Sequence, residues 1–297
     1  MGYILLLMAT LAWSFVGLLV KAASEMVDST IITFARFSFG VVFLGVFLFF
    51  RNGKVQLRAN MLWIWLGALG KGCNYFFENM AISMGYSYGN ILVPPIQTVT
   101  LLLITAIWFK EYISPRGWTA AALCMAGVLV ISWNGQPLGL LWGGGGNGIT
   151  ALLFFISAIG AAIHVLSQKI LVKSMDNGTM NFSVFMWASV LMALPIPVQS
   201  AGFVGPVTLG AWVALIVLGV ITGLSFYWFA ESLRRVPFAM VAIISNSMVL
   251  FSILWAALFM DEPITNYILA GTGVFLVGLL LLNVPSRSAR VKVRDDL

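Results

Sequence analysis

Apolar residues run along this chain in stretches of about 20, broken by charges, Gly or Pro clusters and Asn. Read for length, the runs give ten segments, near 3–22, 30–50, 61–84, 88–109, 116–134, 148–170, 180–200, 210–232, 237–259 and 264–284. A bilayer core takes ~20 residues of helix. A chain in lipid must also satisfy its own backbone groups, which leaves helices or closed barrels. The runs are too long and too continuous for barrel strands, so ten membrane-spanning helices are expected.

Composition agrees. Of 297 residues, 61% are hydrophobic and 9% charged, against about 25% charged in a soluble domain; a water-soluble enzyme is excluded. Cys73 and Cys124 both lie inside apolar runs, so no disulfide framework is expected. The net charge of +6 would suggest nucleic acid as a partner, but the basic residues mark loops. Arg51, Lys54, Arg58, Lys110, Arg116, Lys169, Lys173, Arg234, Arg235, Arg287, Arg290, Lys292 and Arg294, 13 of the 16, fall on one side of the ten-segment layout. Lys21 is alone on the other side, and Arg36 and Lys71 lie within spans. By the positive-inside rule both termini are cytoplasmic. Met1–Val20 has no basic leader and no clear cleavage site, so it reads as a retained first helix.

The two halves overlay. A shift of 151 residues sets Glu111-x-x-Ser114 on Glu262-x-x-Thr265 and Gly127 on Gly278. A shift of 148 sets Lys21 on Lys169 and Asp28 on Asp176. Each half then holds five helices, and an odd number forces opposite orientation, the arrangement that suits alternating access. The expected fold class is an all-α integral membrane protein, ten transmembrane helices built from two inverted five-helix repeats. Residues 1–134 form the first repeat, 135–147 a Gly-rich linker, 148–284 the second repeat and 285–297 a basic cytoplasmic tail. The glycine run follows no strand and lacks Gly-Lys-Ser/Thr, so it is no phosphate loop.

Trp13-Ser14, Arg36, Pro94-Pro95 and the two Glu-x-x-Ser/Thr…Gly signatures resemble the EamA-type branch of the drug/metabolite transporter superfamily. The resemblance covers nearly the whole chain. It implies a ten-helix inner-membrane carrier, often an exporter of amino acids or other small metabolites. The second half departs from the first in carrying Ser245-Asn246 where the first has Pro94-Pro95. Trp13-Ser14 to Val16-Gly17-Leu18 also resembles the aromatic amino acid exporters of this family.

Charged groups at a helix centre cost at least ~2.5–3.5 kcal/mol, so they face the bundle interior or water. Arg36, Lys71, Glu78 and His164 are the ones clearly inside spans. Counting the rise per residue puts Arg36 and Glu78 both about 9 Å below the outer surface, in reach of an ion pair. That pair reads either as a structural clamp or as one that opens for substrate or a proton. Lys71, Asn74, Tyr75 and Glu78 share one helix face at i, i+3, i+4 and i+7. The repeat maps them to Thr222, Ser225, Phe226 and Phe229. Lys71, about 20 Å deep, can attract a substrate carboxylate, while the aromatic residues hold an apolar side chain; a helix–helix contact is the plainer reading.

His164, the one histidine, shares a face with Ser157, Gly160, Ala161 and Gln168, and suits proton relay or hydrogen-bonded packing. Trp13, the repeat partner of Ala161, is expected beside the same cavity. Pro94-Pro95 is expected to kink the fourth helix about six residues in, with Gln97 a turn deeper and Asn246 its rough counterpart on the ninth. Glu111 and Glu262 are expected to bond helix ends, and Gly219-x-x-x-Gly223 to pack helices closely.

No catalytic, metal or cofactor site is expected, because one histidine and scattered acids do not form one. The expected partners are a small-molecule substrate and the lipid bilayer, with no nucleic acid and the oligomeric state open between monomer and oligomer. No Walker motif is present, so a secondary carrier leads, with amino acids of large apolar side chains as cargo. A proton-coupled exporter of organic cations or drugs is the alternative; a channel or a membrane-embedded enzyme fits less well. Glu78 is the best proton-coupling candidate. Its pairing with Arg36 favours the ionised form and keeps facilitated diffusion in view.

Overall fold

The computed structural model describes residues 2–108, 110, 112–135, 147–198, 202–233, 235–236, 244–245 and 247–283. Among them the chain is helical, with one isolated bridge, Val27 to Phe203. The helices are α1 (Gly2–Ser14), α2 (Val16–Ser24), α3 (Ser29–Asn52), α4 (Leu62–Met84), a 3-10 turn (Ser87–Leu92), α5 (Val93–Ile107), α6 (Pro115–Trp133), α7 (Asn147–Leu171), α8 (Asn177–Ala193), α9 (Pro195–Val198), α10 (Leu209–Leu233), α11 (Met248–Phe259) and α12 (Asn266–Asn283). Glu111, Asn246, most of the glycine linker and the basic tail lie outside the described residues.

Among the described residues, seven helical stretches are long and apolar enough to cross a membrane: Gly2–Ser24, Ser29–Asn52, Ser87–Ile104, Pro115–Trp133, Gly148–Leu171, Asn177–Val198 and Leu209–Ser232. Met248–Phe259 and Asn266–Leu281 are apolar but shorter. Helix α4 has the length, 23 residues, but Lys71, Asn74, Glu78 and Asn79 keep it out of that set. Within a largely apolar interior, charged and amide groups are buried that a soluble protein would expose. Arg36, Lys71, Asn74, Glu78, Asn79 and His164 are buried, while Val42, Leu129, Leu152, Val213, Leu254 and Val277 face outward. Apolar side chains facing outward over buried charges are at home in hydrocarbon.

Local chemistry sets several helix ends. Asp28 caps α3, its carboxylate accepting from the Thr30 and Ile31 amides, and Gly53 ends that helix at φ +67°. Asp176 caps α8 through the Thr179 amide. Burial pushes the Asp176 carboxyl up, but hydrogen bonds from Thr179 and the Gly178 amide outweigh it and hold it below its usual range. Ser114 caps α6, with Pro115 at its first position. Lys21 donates to the carbonyls of Ile82, Ser83 and Gly85 at the end of α4, a cation at the negative end of a helix.

Three helix pairs meet backbone to backbone. A Cβ on Gly160 of α7 would lie 2.6 Å from the Gly70 carbonyl of α4, one on Gly223 of α10 2.5 Å from the Gly40 carbonyl of α3, and one on Gly127 of α6 2.6 Å from the Gly271 carbonyl of α12. No side chain fits at such crossings. Ser38 of α3 and Ser189 of α8 share a hydrogen bond of 2.8 Å.

Two expectations change here, and a third is met. The first segment is not one helix: it breaks at Phe15, and the Ser14 carbonyl it frees accepts from Ser252. Trp255 bonds the Ser14 hydroxyl and its ring stacks on Phe15. Pro94 and Pro95 do not kink a continuous helix. They sit in the first turn of α5, where a missing amide costs nothing, after a 3-10 turn. Glu262 bonds a helix end as expected: it accepts from the Ser87 amide and hydroxyl at the start of the 3-10 turn.

Candidate functional site

The polar interior is organised by α4. Its period places Lys71, Asn74, Tyr75 and Glu78 on one face, all buried. From α3, Arg36 reaches this face with 1% of its surface exposed. One terminal nitrogen, Nη1, donates to Asn79 Oδ1 at 2.7 Å and lies 3.7 Å from Glu78 Oε2. The guanidinium carbon sits 3.5 Å from the Tyr75 ring centroid. Asn79 is held in turn by donating to Thr33 Oγ1 at 2.8 Å. The guanidinium is therefore clamped by an amide, a carboxylate and an aromatic face, each suited to its planar charge.

Deeper along α4, the Lys71 ammonium donates to Asn74 Oδ1 at 2.8 Å. Asn74 Nδ2 donates to Ser157 Oγ of α7 at 2.8 Å, and that hydroxyl donates back to the Asn74 carbonyl at 3.0 Å. Lys71 Nζ also lies 4.3 Å from the Tyr75 ring centroid and 4.6 Å from that of Phe226. Close approach of α4 and α7 at Gly70 and Gly160 makes this network reachable with short side chains.

Phe226 of α10 is the meeting point of four helices besides its own. Trp13 packs on it at 5.3 Å, His164 at 6.0 Å edge-on and Phe185 of α8 at 5.5 Å, with Lys71 above. Trp13 also touches Phe229 at 5.1 Å. Phe37 stacks on Tyr75 at 5.0 Å. The result is a cluster of rings around a buried ammonium.

The other expected site residues fall out differently. Ser225 turns back to the Ile221 carbonyl at 2.5 Å, as serines in helices do when no cross-helix acceptor is close. Gln97 and Pro94 are half-buried on α5, and Gln97 makes no hydrogen bond among the described residues. Asn246 lies outside them. Gln168 bonds Asn181 Oδ1 of α8 at 2.9 Å, on the far side of His164 from Ser157. Sequence reasoning missed Asn79 and Thr33, although Asn79 continues the 71–75 spacing by one further step of four and Thr33 lies three residues before Arg36.

At one end of the bundle, two connections pair across the molecule. The Asp28 amide donates to the Gly202 carbonyl at 3.1 Å, the Gly202 amide to the Asp28 carboxylate at 2.5 Å, and the Val204 amide to the Met26 carbonyl at 2.9 Å. Gly205 lies so close to the Glu25 carbonyl that a Cβ would overlap it. An apolar crevice of about 380 Å³ also opens between α11 and α12, lined by residues such as Leu250, Ile253, Leu269 and Gly273. Thr272 is the one polar side chain in that lining, so the candidate site is the cluster around Lys71, Arg36 and Phe226.

Comparison with known proteins gives three findings. The profile of the EamA-like transporter family matches residues 1–133 and again 148–284. The pseudopaline exporter CntI of Pseudomonas aeruginosa strain UCBPP-PA14, and that of strain PAO1, are each 23% identical over 292 residues, covering 95% of both chains. A solved crystal structure superimposes with TM-score 0.69 at 17% identity, over 95% of this chain and 96% of the other, a likeness of fold.

Proposed function

The chain belongs to the EamA-like transporter family, and from that premise we propose a secondary carrier that exports amino acids with large apolar side chains. In this reading the carrier works by alternating access in the inner (plasma) membrane, both termini cytoplasmic. It has ten membrane-spanning helices in two inverted repeats. The observation that carries the reading is the Lys71–Asn74–Ser157 network ringed by Tyr75, Phe226 and Trp13. It is a charged, hydrogen-bonded site of about amino-acid character inside an apolar bundle. Export is taken from the relatives, which are exporters by name; their cargo is not.

The pairing of helices supports the inverted repeat. Helix α4 packs on α7 as α10 packs on α1, α3 on α10 as α8 on α4, and α5 on α7 as α11 on α1. Helices α3 with α8 and α6 with α12 are their own counterparts, and the equivalent residues Asp28 and Asp176 both cap helices. In the proposed orientation the connections joined at Asp28 and Gly202 close the outer side, which alternating access requires to part.

Purified protein is tested by thermal unfolding against metabolites that include aromatic and branched amino acids, followed by flux in proteoliposomes. A ligand that binds only the folded state stabilises it by about 2.7 kcal/mol at 100 times its Kd, and flux should saturate and be stimulated by counter-substrate. Linear, non-saturating flux would indicate a channel. Gly205→Val should hold the outer connections apart and raise labelling of a Lys21→Cys probe by an impermeant thiol reagent; unchanged labelling would remove the closure from the mechanism.

A further inference from the structure

Among the described residues the buried charges do not balance. Arg36 and Lys71 are positive, and Glu78 is the one carboxylate set among them. Arg36 takes that carboxylate, at 3.7 Å. Lys71 makes no ion pair among the described residues: its one hydrogen bond there goes to the neutral Asn74 amide, and its remaining neighbours are ring faces. The Lys71 ammonium is 7% exposed, and the Glu78 carboxylate on the same helix face is already held by Arg36, so the site gains from an added anion.

Two further polar groups pack on the same Phe226 ring and have no protein partner among the described residues. Trp13 Nε1 is a buried donor. His164 Nδ1 lies 3.3 Å from the Gly67 carbonyl, which can only accept. In the neutral ring Nδ1 then carries the proton, which makes Nε2, buried and unpartnered, an acceptor. Two donors, one of them charged, and one acceptor thus come from α4, α1 and α7 to one ring.

We infer that this site reads a zwitterionic head group: a carboxylate on Lys71 and Trp13 Nε1, and the adjacent protonated amine on His164 Nε2. Lys71 is the residue that sets preference for a carboxylate over an organic cation. The assignment rests on the cluster being the transport site proposed above, and it gives that site a polarity which membership of the family does not specify.

Three compounds with one side chain separate the parts: L-phenylalanine, 3-phenylpropanoate, which lacks the amine, and 2-phenylethylamine, which lacks the carboxylate. Their saturable thermal shifts are measured on the purified full chain. Phenylalanine is expected to bind about tenfold tighter than phenylpropanoate, and phenylethylamine to give no shift, each lost group leaving a buried partner unpaired. Lys71→Gln should lose at least about tenfold in phenylalanine affinity, and His164→Leu should bring phenylalanine down to the level of phenylpropanoate. Because Lys71→Gln also releases an uncompensated charge, its melting temperature without ligand should not fall, so lost binding is not lost folding. If phenylethylamine binds wild-type protein as well as phenylalanine does, the head-group assignment is overturned while the carrier stands. Equal binding of phenylalanine and phenylpropanoate removes His164 from it. No shift with any of the three overturns the amino-acid reading, and the head-group assignment with it.

Discussion

Helices α4 and α10 meet where Lys71 lies 4.6 Å from the Phe226 ring, and they bring opposite chemistry to the contact. A shift of 151 residues pairs Lys71, Asn74, Tyr75 and Glu78 with Thr222, Ser225, Phe226 and Phe229. On α4 the polar groups reach across to neighbours: Asn74 to Ser157 of α7, Glu78 and Asn79 to Arg36 of α3. On α10 Ser225 bonds its own backbone, and Phe226 and Phe229 present rings. Duplication of a helix has not duplicated its role. One copy supplies charge held by partners, the other the aromatic wall against it. An asymmetric ligand with a polar and an apolar end matches such a pair better than a symmetric one.

If that division is right, substitutions that strand a hydrogen-bonded or ion-paired partner on the α4 side should cost more stability than those on α10. The largest effect is expected from Arg36→Met, which strands the Glu78 carboxylate and the Asn79 amide; breaking a buried pair costs about 3–5 kcal/mol, read as a large drop in unfolding temperature in detergent. Asn74→Ala removes a partner from both Lys71 and Ser157, and about 2–3 kcal/mol of destabilisation is expected. Phe226→Leu keeps the volume roughly but loses ring contacts to Trp13, His164 and Lys71, for about 1 kcal/mol, with a greater loss of ligand affinity than of stability. Ser225→Ala should change stability by less than about 0.5 kcal/mol, because that hydroxyl serves only its own helix. Were Ser225→Ala as damaging as Asn74→Ala, the two helices would share the polar work and the comparison would fail.

Much of this was legible in the pattern. Lys71, Asn74, Tyr75 and Glu78 lie on one face because 3.6 residues make a turn, and burial of all four follows from the cost of exposing them to hydrocarbon. The ion pair of Arg36 and Glu78 was legible from depth alone, yet its closest partner was not. Arg36 approaches Asn79 at 2.7 Å and Glu78 at 3.7 Å, since the crossing of α3 and α4, which no residue spacing reveals, aims the guanidinium one position further along. Ser225 shows the converse. Its place in the repeat suggested a cross-helix contact, but whether a serine turns outward depends on an acceptor across the gap.

The chain's own sequence decides where helices run and which faces are polar, because hydrophobic length, periodicity and capping residues such as Asp28, Ser114 and Asp176 act over a few residues. It also decides that Arg36, Lys71 and Glu78 lie inside apolar runs, since position along the chain needs no fold. The tertiary structure decided the rest. It broke the first helix at Phe15, where Ser252 and Trp255 of α11 take up the freed groups of Ser14. It gave Glu78 to Arg36 rather than Lys71, and it made Phe226 the ring on which Lys71, Trp13 and His164 converge. Those outcomes depend on distances of a few ångströms between helices far apart in the chain. Such distances are set by where glycines such as Gly70 and Gly160 let backbones touch, which only packing resolves.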